Sequence, residues 1–169
     1  MSENVEVLLV DVGNTAVKTT QVIDGVFQPL QTWPTLTDAL AEVALHVPVM
    51  LSSVKKNTAE ALAGRNALVL SPEVSLPIKI NYDTPNTLGV DRIAAAAGVY
   101  ALFPKEHSLI IDAGTCITMD VIDAEGVFHG GIIAPGLSMR MKAMAHFTDN
   151  LPDISKDWQN HLPADDVVG

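Results

Sequence analysis

The sequence predicts an α/β protein in which one folding unit is used twice, and three observations carry that expectation. The phrase LLVDVGNTAVK, with Asp11, Gly13 and Thr15, returns about a hundred positions later as LIIDAGTCITMDVID, with Asp112, Gly114 and Thr115. Each copy continues through a second and a third apolar run separated by a glycine turn, the pattern of an antiparallel meander. Composition allows a core, since 48% of the 169 residues are hydrophobic and mean hydropathy is +0.27.

The elements follow in order. Residues 5–10 and 16–23 read as β-branched strands joined at Gly13-Asn14, and Asp24-Gly25 turns the chain into a third strand over 27–33. Thr35 or Thr37 can cap a helix that runs to about His46. A buried strand at 49–53, a helix from Asn57 and a strand at 67–70 complete the first unit. Pro72, Pro77 and Pro85 then punctuate a connector that carries Asn81 and Tyr82. A helix over 91–102 follows, its small residues at 94–98 suited to close packing.

Strands at 109–112, 117–122 and 127–133 repeat the meander, with Glu125-Gly126 as its turn. Pro135-Gly136 ends the third strand, and a helix covers 137–147. The division expected is a first unit with connector at 1–88 and a second at 89–169. Beyond Asn150 the chain is polar and broken by proline, so the strand–helix–strand passage of the first unit has no counterpart in the second.

Charge and cysteine usage exclude several classes. A formal net charge of -10 repels phosphodiester backbones and anionic lipid, which argues against a nucleic-acid or membrane partner. Cys116, alone, can form neither an internal disulfide nor a cysteine zinc cluster and reads as strand packing, while His46, His107, His129, His146 and His161 share no ligand spacing. With no leader and no apolar run of about 18 residues, the expected location is the cytoplasm.

The repeated hairpin has a chemistry of its own. Its turn aims backbone N–H groups and a threonine hydroxyl outward, and a carboxylate at the strand end can hold a hydrated cation. Two such hairpins face to face would clamp a nucleoside triphosphate. Asn14, Thr15 and Lys18 add an amide, a hydroxyl and a point charge suited to phosphate oxygens. One strand-ending Asp in a Gly-Asn turn needs no ligand to explain it; two matched copies tip the balance. Asp91 opens a helix, where the macrodipole favours a carboxylate, and Arg92 is either a planar fork for an acid or a solvated helix charge. Gly130, Gly131, Pro135 and Gly136 give a tight backbone, read equally as a ligand approach or as a turn and helix start.

The doubled meander with its phosphate hairpins resembles the actin, sugar-kinase and heat-shock ATPase fold, a duplicated ribonuclease H-like architecture. More narrowly, DVGNTAVK, TLGVDRIAAAAG, IDAGTCITMDVID and FHGGIIAPGLSMR, in that order across 11–152, resemble the type III pantothenate kinases, the family that includes the Bvg accessory factor proteins. Cys116 and Ile117 depart from the family's usual small residue and threonine, and family members run on by several tens of residues. The resemblance implies ATP-dependent phosphorylation of pantothenate to 4'-phosphopantothenate, the first step of coenzyme A synthesis, with magnesium and a potassium or ammonium ion. It implies Asp91 as general base, Asp11 and Asp112 toward metal, and Asp11, Gly13, Asn14, Thr15, Lys18, Gly114, Thr115 and Thr118 toward the nucleotide. Tyr82, Gly89, Arg92 and Thr148 would meet pantothenate, Thr148 being lent to the neighbouring subunit of a homodimer. The alternatives are another small-acid or sugar kinase of the superfamily and a catalytically silent regulatory or binding homologue.

Overall fold

A computed structural model describes residues 6–55, 58, 60–71 and 73–156. Val5, Asn57, Pro72 and the stretch 157–169, to which expectations were attached, lie outside the described residues. The first sheet runs in the order β3-β2-β1-β5-β6. Its members are β1 (Glu6–Val12), β2 (Val17–Ile23), β3 (Val26–Phe27), β4 (Gln31–Trp33), β5 (Val49–Ser53) and β6 (Ala67–Val69), with α1 (Leu36–Ala41) between β4 and β5. β2 is antiparallel to β1 and β5 is parallel to it, and β6 is parallel to β5. Along β1 every second residue points inward: Leu8, Val10 and Val12 join Val17, Leu36, Leu40, Val49 and Leu51 in one core. That alternation is the period-two pattern read from the sequence.

The second sheet has the order β7-β10-β9-β8, from β7 (Lys79–Ile80), β8 (Ser108–Ala113), β9 (Cys116–Ile122) and β10 (Val127–Pro135). α2 (Val90–Leu102) precedes it in the chain and α3 (Leu137–Phe147) follows it. β8, β9 and β10 form the second antiparallel meander, and Ile110, Ile122 and Phe128 pack with Ile93 and Ala96 of α2. Three antiparallel strands occur twice, the first set extended by parallel strands across α1. The chain therefore has the duplicated ribonuclease H-like α/β fold.

Four expectations need correction. The third strand of the first unit is split into β3 and β4, both paired with β2, around Gln28, Pro29 and Leu30; proline lacks the N–H that a continuous ladder needs. The first helix is capped by Thr35, whose hydroxyl accepts from the Asp38 amide at 3.1 Å, but it stops at Ala41. Arg65 explains the stop, for its guanidinium donates to the carbonyls of Leu40, Val43 and Ala44 at 2.6, 2.8 and 3.0 Å. Where a helix was expected from Asn57, residues 60–64 are turns held by bonds from Ala63 to Glu60 and from Arg65 to Leu62. Finally, the end of the connector is not free: β7 pairs in parallel with β10, and Ile78 and Leu88 belong to the second core.

Candidate active site

The two glycine hairpins meet. In the first, the Gly13 amide donates to the Ala16 carbonyl at 3.1 Å and closes a turn through Asn14 and Thr15. In the second, the Gly114 amide reaches the Cys116 carbonyl at 2.8 Å across Thr115. Thr15 Oγ1 and Thr115 Oγ1 stand 2.9 Å apart, a hydroxyl–hydroxyl hydrogen bond between turns a hundred residues apart in sequence. The strand registers match as well: Asp11 faces Lys18 across β1 and β2, and Asp112 faces Thr118 across β8 and β9.

Three carboxylates gather there. Partial burial, and after it the charges of Asp91 and Asp112, hold Asp11 above the usual carboxylate range although its side chain remains open to solvent; Lys18 opposes the shift. Asp91 comes from the first turn of α2, whose N-cap is Gly89. Its Oδ1 accepts from the Arg92 amide at 2.9 Å, folded over the helix end where a Cβ on residue 89 would collide with it. Glycine at 89 is therefore what lets that carboxylate lie there. Beside Asp11 in the parallel register stands Ser52, whose buried hydroxyl draws Asp11 weakly downward.

This donor set suits a hard cation in a limited way. Oxygen ligands of this kind fit magnesium, which binds through one or two carboxylates and takes the rest of its shell from water and substrate phosphates. Among the described residues, no three His, Cys, Asp or Glu side chains converge closely enough to hold a metal by themselves.

Arg92 is the residue whose surroundings differ most from expectation. Instead of facing solvent it is 6% exposed, paired with Asp120, itself 2% exposed. Arg92 Nε donates to both carboxylate oxygens, at 3.2 and 2.9 Å, and Nη2 donates to Oδ1. Those bonds, the largest influence on it, push the guanidinium still higher than usual and keep it charged. Its Cζ lies 6.0 Å from the ring centroids of Tyr82 and Phe128. Tyr82, half-buried just after β7, lines a hollow with Asn81, Asp83, Thr84 and His129. The fold thus brings Asp11, Gly13, Asn14, Thr15, Lys18, Gly114, Thr115, Thr118, Asp112, Gly89 and Asp91 to one corner, with Arg92 and Tyr82 behind it. Thr148 is not brought in. It caps the far end of α3, a helix about 16 Å long whose leading residue Gly136 donates its amide to the Thr115 carbonyl at 3.1 Å.

Sequence comparison fixes the family. The family model described as Type III pantothenate kinase matches residues 7–168. The chain belongs to the type III pantothenate kinase family.

Relatives named type III pantothenate kinase include those of Cytophaga hutchinsonii, 40% identical over 166 residues, and Phocaeicola vulgatus, 39% identical over 158. A third, from Bacteroides fragilis, is 37% identical over 176 residues. The alignments cover 96%, 88% and 93% of this chain and 71%, 65% and 72% of those relatives, so the chain spans about two thirds to three quarters of their length. Among solved structures, a Ppx/GppA family member from Aquifex aeolicus aligns at TM-score 0.44 and 15% identity, over 90% of this chain and 58% of that one. YeaZ from Pseudomonas aeruginosa aligns at TM-score 0.36 and 17% identity, over 77% and 69%. As a pantothenate kinase family member the chain is of the ATP-using transferase class. Among the described residues no helix is long and apolar enough to cross a membrane.

Two neighbours of this site were missed by reading the sequence. Ser52 carried no signal, being a plain strand-end serine. Asp120 carried one, an acidic residue on the inward face of β9 in line with Ile122, where only a buried cation could partner it.

Proposed function

We propose that this chain moves the γ-phosphoryl group of ATP onto the primary hydroxyl of pantothenate, giving 4'-phosphopantothenate in the opening step of coenzyme A synthesis. The observation that supports this most is the hydrogen bond between Thr15 and Thr115, which joins two phosphate-type hairpins beside the carboxylates of Asp11, Asp91 and Asp112. Phosphoryl transfer asks a protein chiefly to align the attacking and leaving oxygens and to offset charge. In this reading the amides of Asn14, Thr15 and Thr115, in turns that Gly13 and Gly114 close, the hydroxyls of Thr15, Thr115 and Thr118, and Lys18 hold the polyphosphate. Asp91 accepts the hydroxyl proton as the pantothenate oxygen bonds to the γ-phosphorus and the bridging oxygen leaves with ADP. Tyr82, Gly89 and Arg92 orient the acid.

Asp11, with Asp112 close by, would hold magnesium as a hydrated ion, and Asp112 would share in holding potassium or ammonium; a bound divalent ion offsets charge on the phosphates. Cation binding there also offsets the burial, and after it the charges of Asp91 and Asp112, that raise Asp11. The exposed Leu137, Met139, Met144 and Phe147 of α3 support a homodimer, in which Thr148 serves the partner's pocket. A cytoplasmic location goes with a coenzyme-synthesis enzyme and with the lone Cys116.

Coupled ADP release with pantothenate, magnesium and potassium tests the assignment, and turnover dependent on pantothenate is expected. A nucleotide-binding preparation that ignores pantothenate but consumes another small alcohol overturns the acceptor. Asp91→Asn should lower kcat by about 10²–10⁴ with the circular dichroism spectrum unchanged. Full activity in that variant removes Asp91 from the chemistry. Sizing at micromolar concentration checks the dimer, and a monomer alone speaks against it.

A further inference from the structure

One buried charge has no part in the roles above. Asp120 stands in the middle of β9, between its register partners Ile110 of β8 and Gly131 of β10, and is 2% exposed. A buried ion pair is weak ground for stability, because desolvating two charges offsets most of their attraction and apolar residues of similar size fill the space as well. This pair sits in a particular place. Arg92 follows Asp91 directly in the chain, and its guanidinium lies 6.0 Å from the centroid of the Tyr82 ring. That ring also lies against Gly130, at φ +73° and beside a β-bulge in β10, where any Cβ would stand 2.7 Å from the ring carbons. Asp120, Arg92, Tyr82 and Gly130 thus form one stack behind the helix turn that carries Asp91.

We propose that Asp120 is a positioning residue for the acceptor: by fixing the Arg92 guanidinium through Nε and Nη2 it sets the orientation of Arg92 and the seat of the Tyr82 ring. The inference rests on the reading that Tyr82, Asp91 and Arg92 face pantothenate. Arg92 has χ angles enough to swing, and two donors on one carboxylate remove that freedom in advance of binding. Asn at 120 keeps the shape and one acceptor but loses the charge and the second acceptor, so the guanidinium is no longer locked.

Calorimetric titration with pantothenate tests this without requiring turnover, and titration of the same samples with ADP is the control. Asp120→Asn should weaken pantothenate about tenfold and leave ADP within about twofold. Asp120→Glu, which restores the charge but displaces the carboxylate by a methylene, should fall between the wild type and Asn. Unchanged pantothenate affinity in Asp120→Asn overturns the proposal, and so does an equal loss for both ligands, which marks a general structural defect. If Asp120→Asn fails to fold, Asp120→Glu decides by the same two titrations. Failure of both to fold assigns the pair to folding alone and overturns the positioning role. A wild-type chain that binds ADP but no pantothenate removes the acceptor reading itself, an outcome distinct from any of these.

Discussion

Among the described residues, the first hairpin springs from β1, which has β2 antiparallel on one side and β5 parallel on the other, whereas the second springs from β8, which pairs with β9. Among those residues Asp11 has a register neighbour on each side, Lys18 and Ser52, while Asp112 has Thr118 across the β8–β9 ladder. A carboxylate inside a sheet is partly stripped of water and set among other charges, and it becomes the group that most needs a cation. We expect the first hairpin to carry the charge chemistry and the second to act mainly through its amides and hydroxyls.

The most direct way to break that asymmetry is to neutralise each aspartate in turn. Asp11→Asn should lower kcat/KM for ATP by about 10²–10³, the range seen when one preorganised electrostatic group is removed from a transition state. Asp112→Asn should cost about tenfold or less, with its effect concentrated in the dependence on the monovalent ion. Steady-state kinetics across magnesium and potassium concentrations separates the two. Equal losses, or a larger one at Asp112, would mean that the seat of the hairpin is irrelevant.

Lys18 sharpens the comparison, since the second hairpin has Thr118 at the matching register position. Lys18→Ala should raise the KM for ATP about tenfold, the worth of one charged hydrogen bond to phosphate. It also removes a positive charge that draws Asp11 downward, so Asp11 should rise further. Where activity needs ionised Asp11, kcat/KM falls as pH drops through the raised value, and in Lys18→Ala that fall should begin at a higher pH. An unmoved acid limb would detach Asp11 from the pH dependence.

Stability follows the same carboxyl with the opposite sign. A folded-state value above the unfolded one means that the native chain binds more protons in the window between them. Stability therefore rises as pH falls through that window and is lowest above it, where Asp11 is charged. Asp11→Asn should raise the thermal midpoint near neutral pH by about a degree or two, small because solvent screens an open carboxylate. Loss of activity with gain of stability is the signature expected of a group kept for function.

Most of this arrangement was legible in the sequence because its causes are local. Strands β5, β8, β9 and β10 and helices α2 and α3 follow from apolar periodicity and from glycine turns that sit next to them in the chain. The length of α1 was not legible, since Arg65, more than twenty residues onward, captures the carbonyl of Leu40 in its last turn and those of Val43 and Ala44 just beyond. The break between β3 and β4 could have been read from Pro29. Strand β7 has two residues and no periodicity, and it exists only because β10 offers an edge. In the site, Asp11, Asp91 and Asp112 were visible as motif positions, whereas the burial of Arg92 needed its pairing with Asp120, a contact 28 residues away in sequence.

The smallest expected effect tests whether the hairpins form a clamp by themselves or only around a ligand. Thr15→Val and Thr115→Val each remove one hydroxyl of the 2.9 Å bridge while keeping side-chain shape. In the free chain that bond is exposed, so its loss should cost about 0.5 kcal/mol, near the lower end for a hydrogen bond. With ATP present each hydroxyl also serves phosphate oxygens in our reading, so the loss of nucleotide affinity should exceed the loss of stability. A double-mutant cycle then distinguishes the cases. If the bridge matters only to the empty chain, the two substitutions couple in the thermal melt without ATP and add independently in the melt of the ATP complex. Coupling in the ATP complex as well would mean that the turns hold the nucleotide as one unit, the seat of each hairpin then mattering less than their meeting.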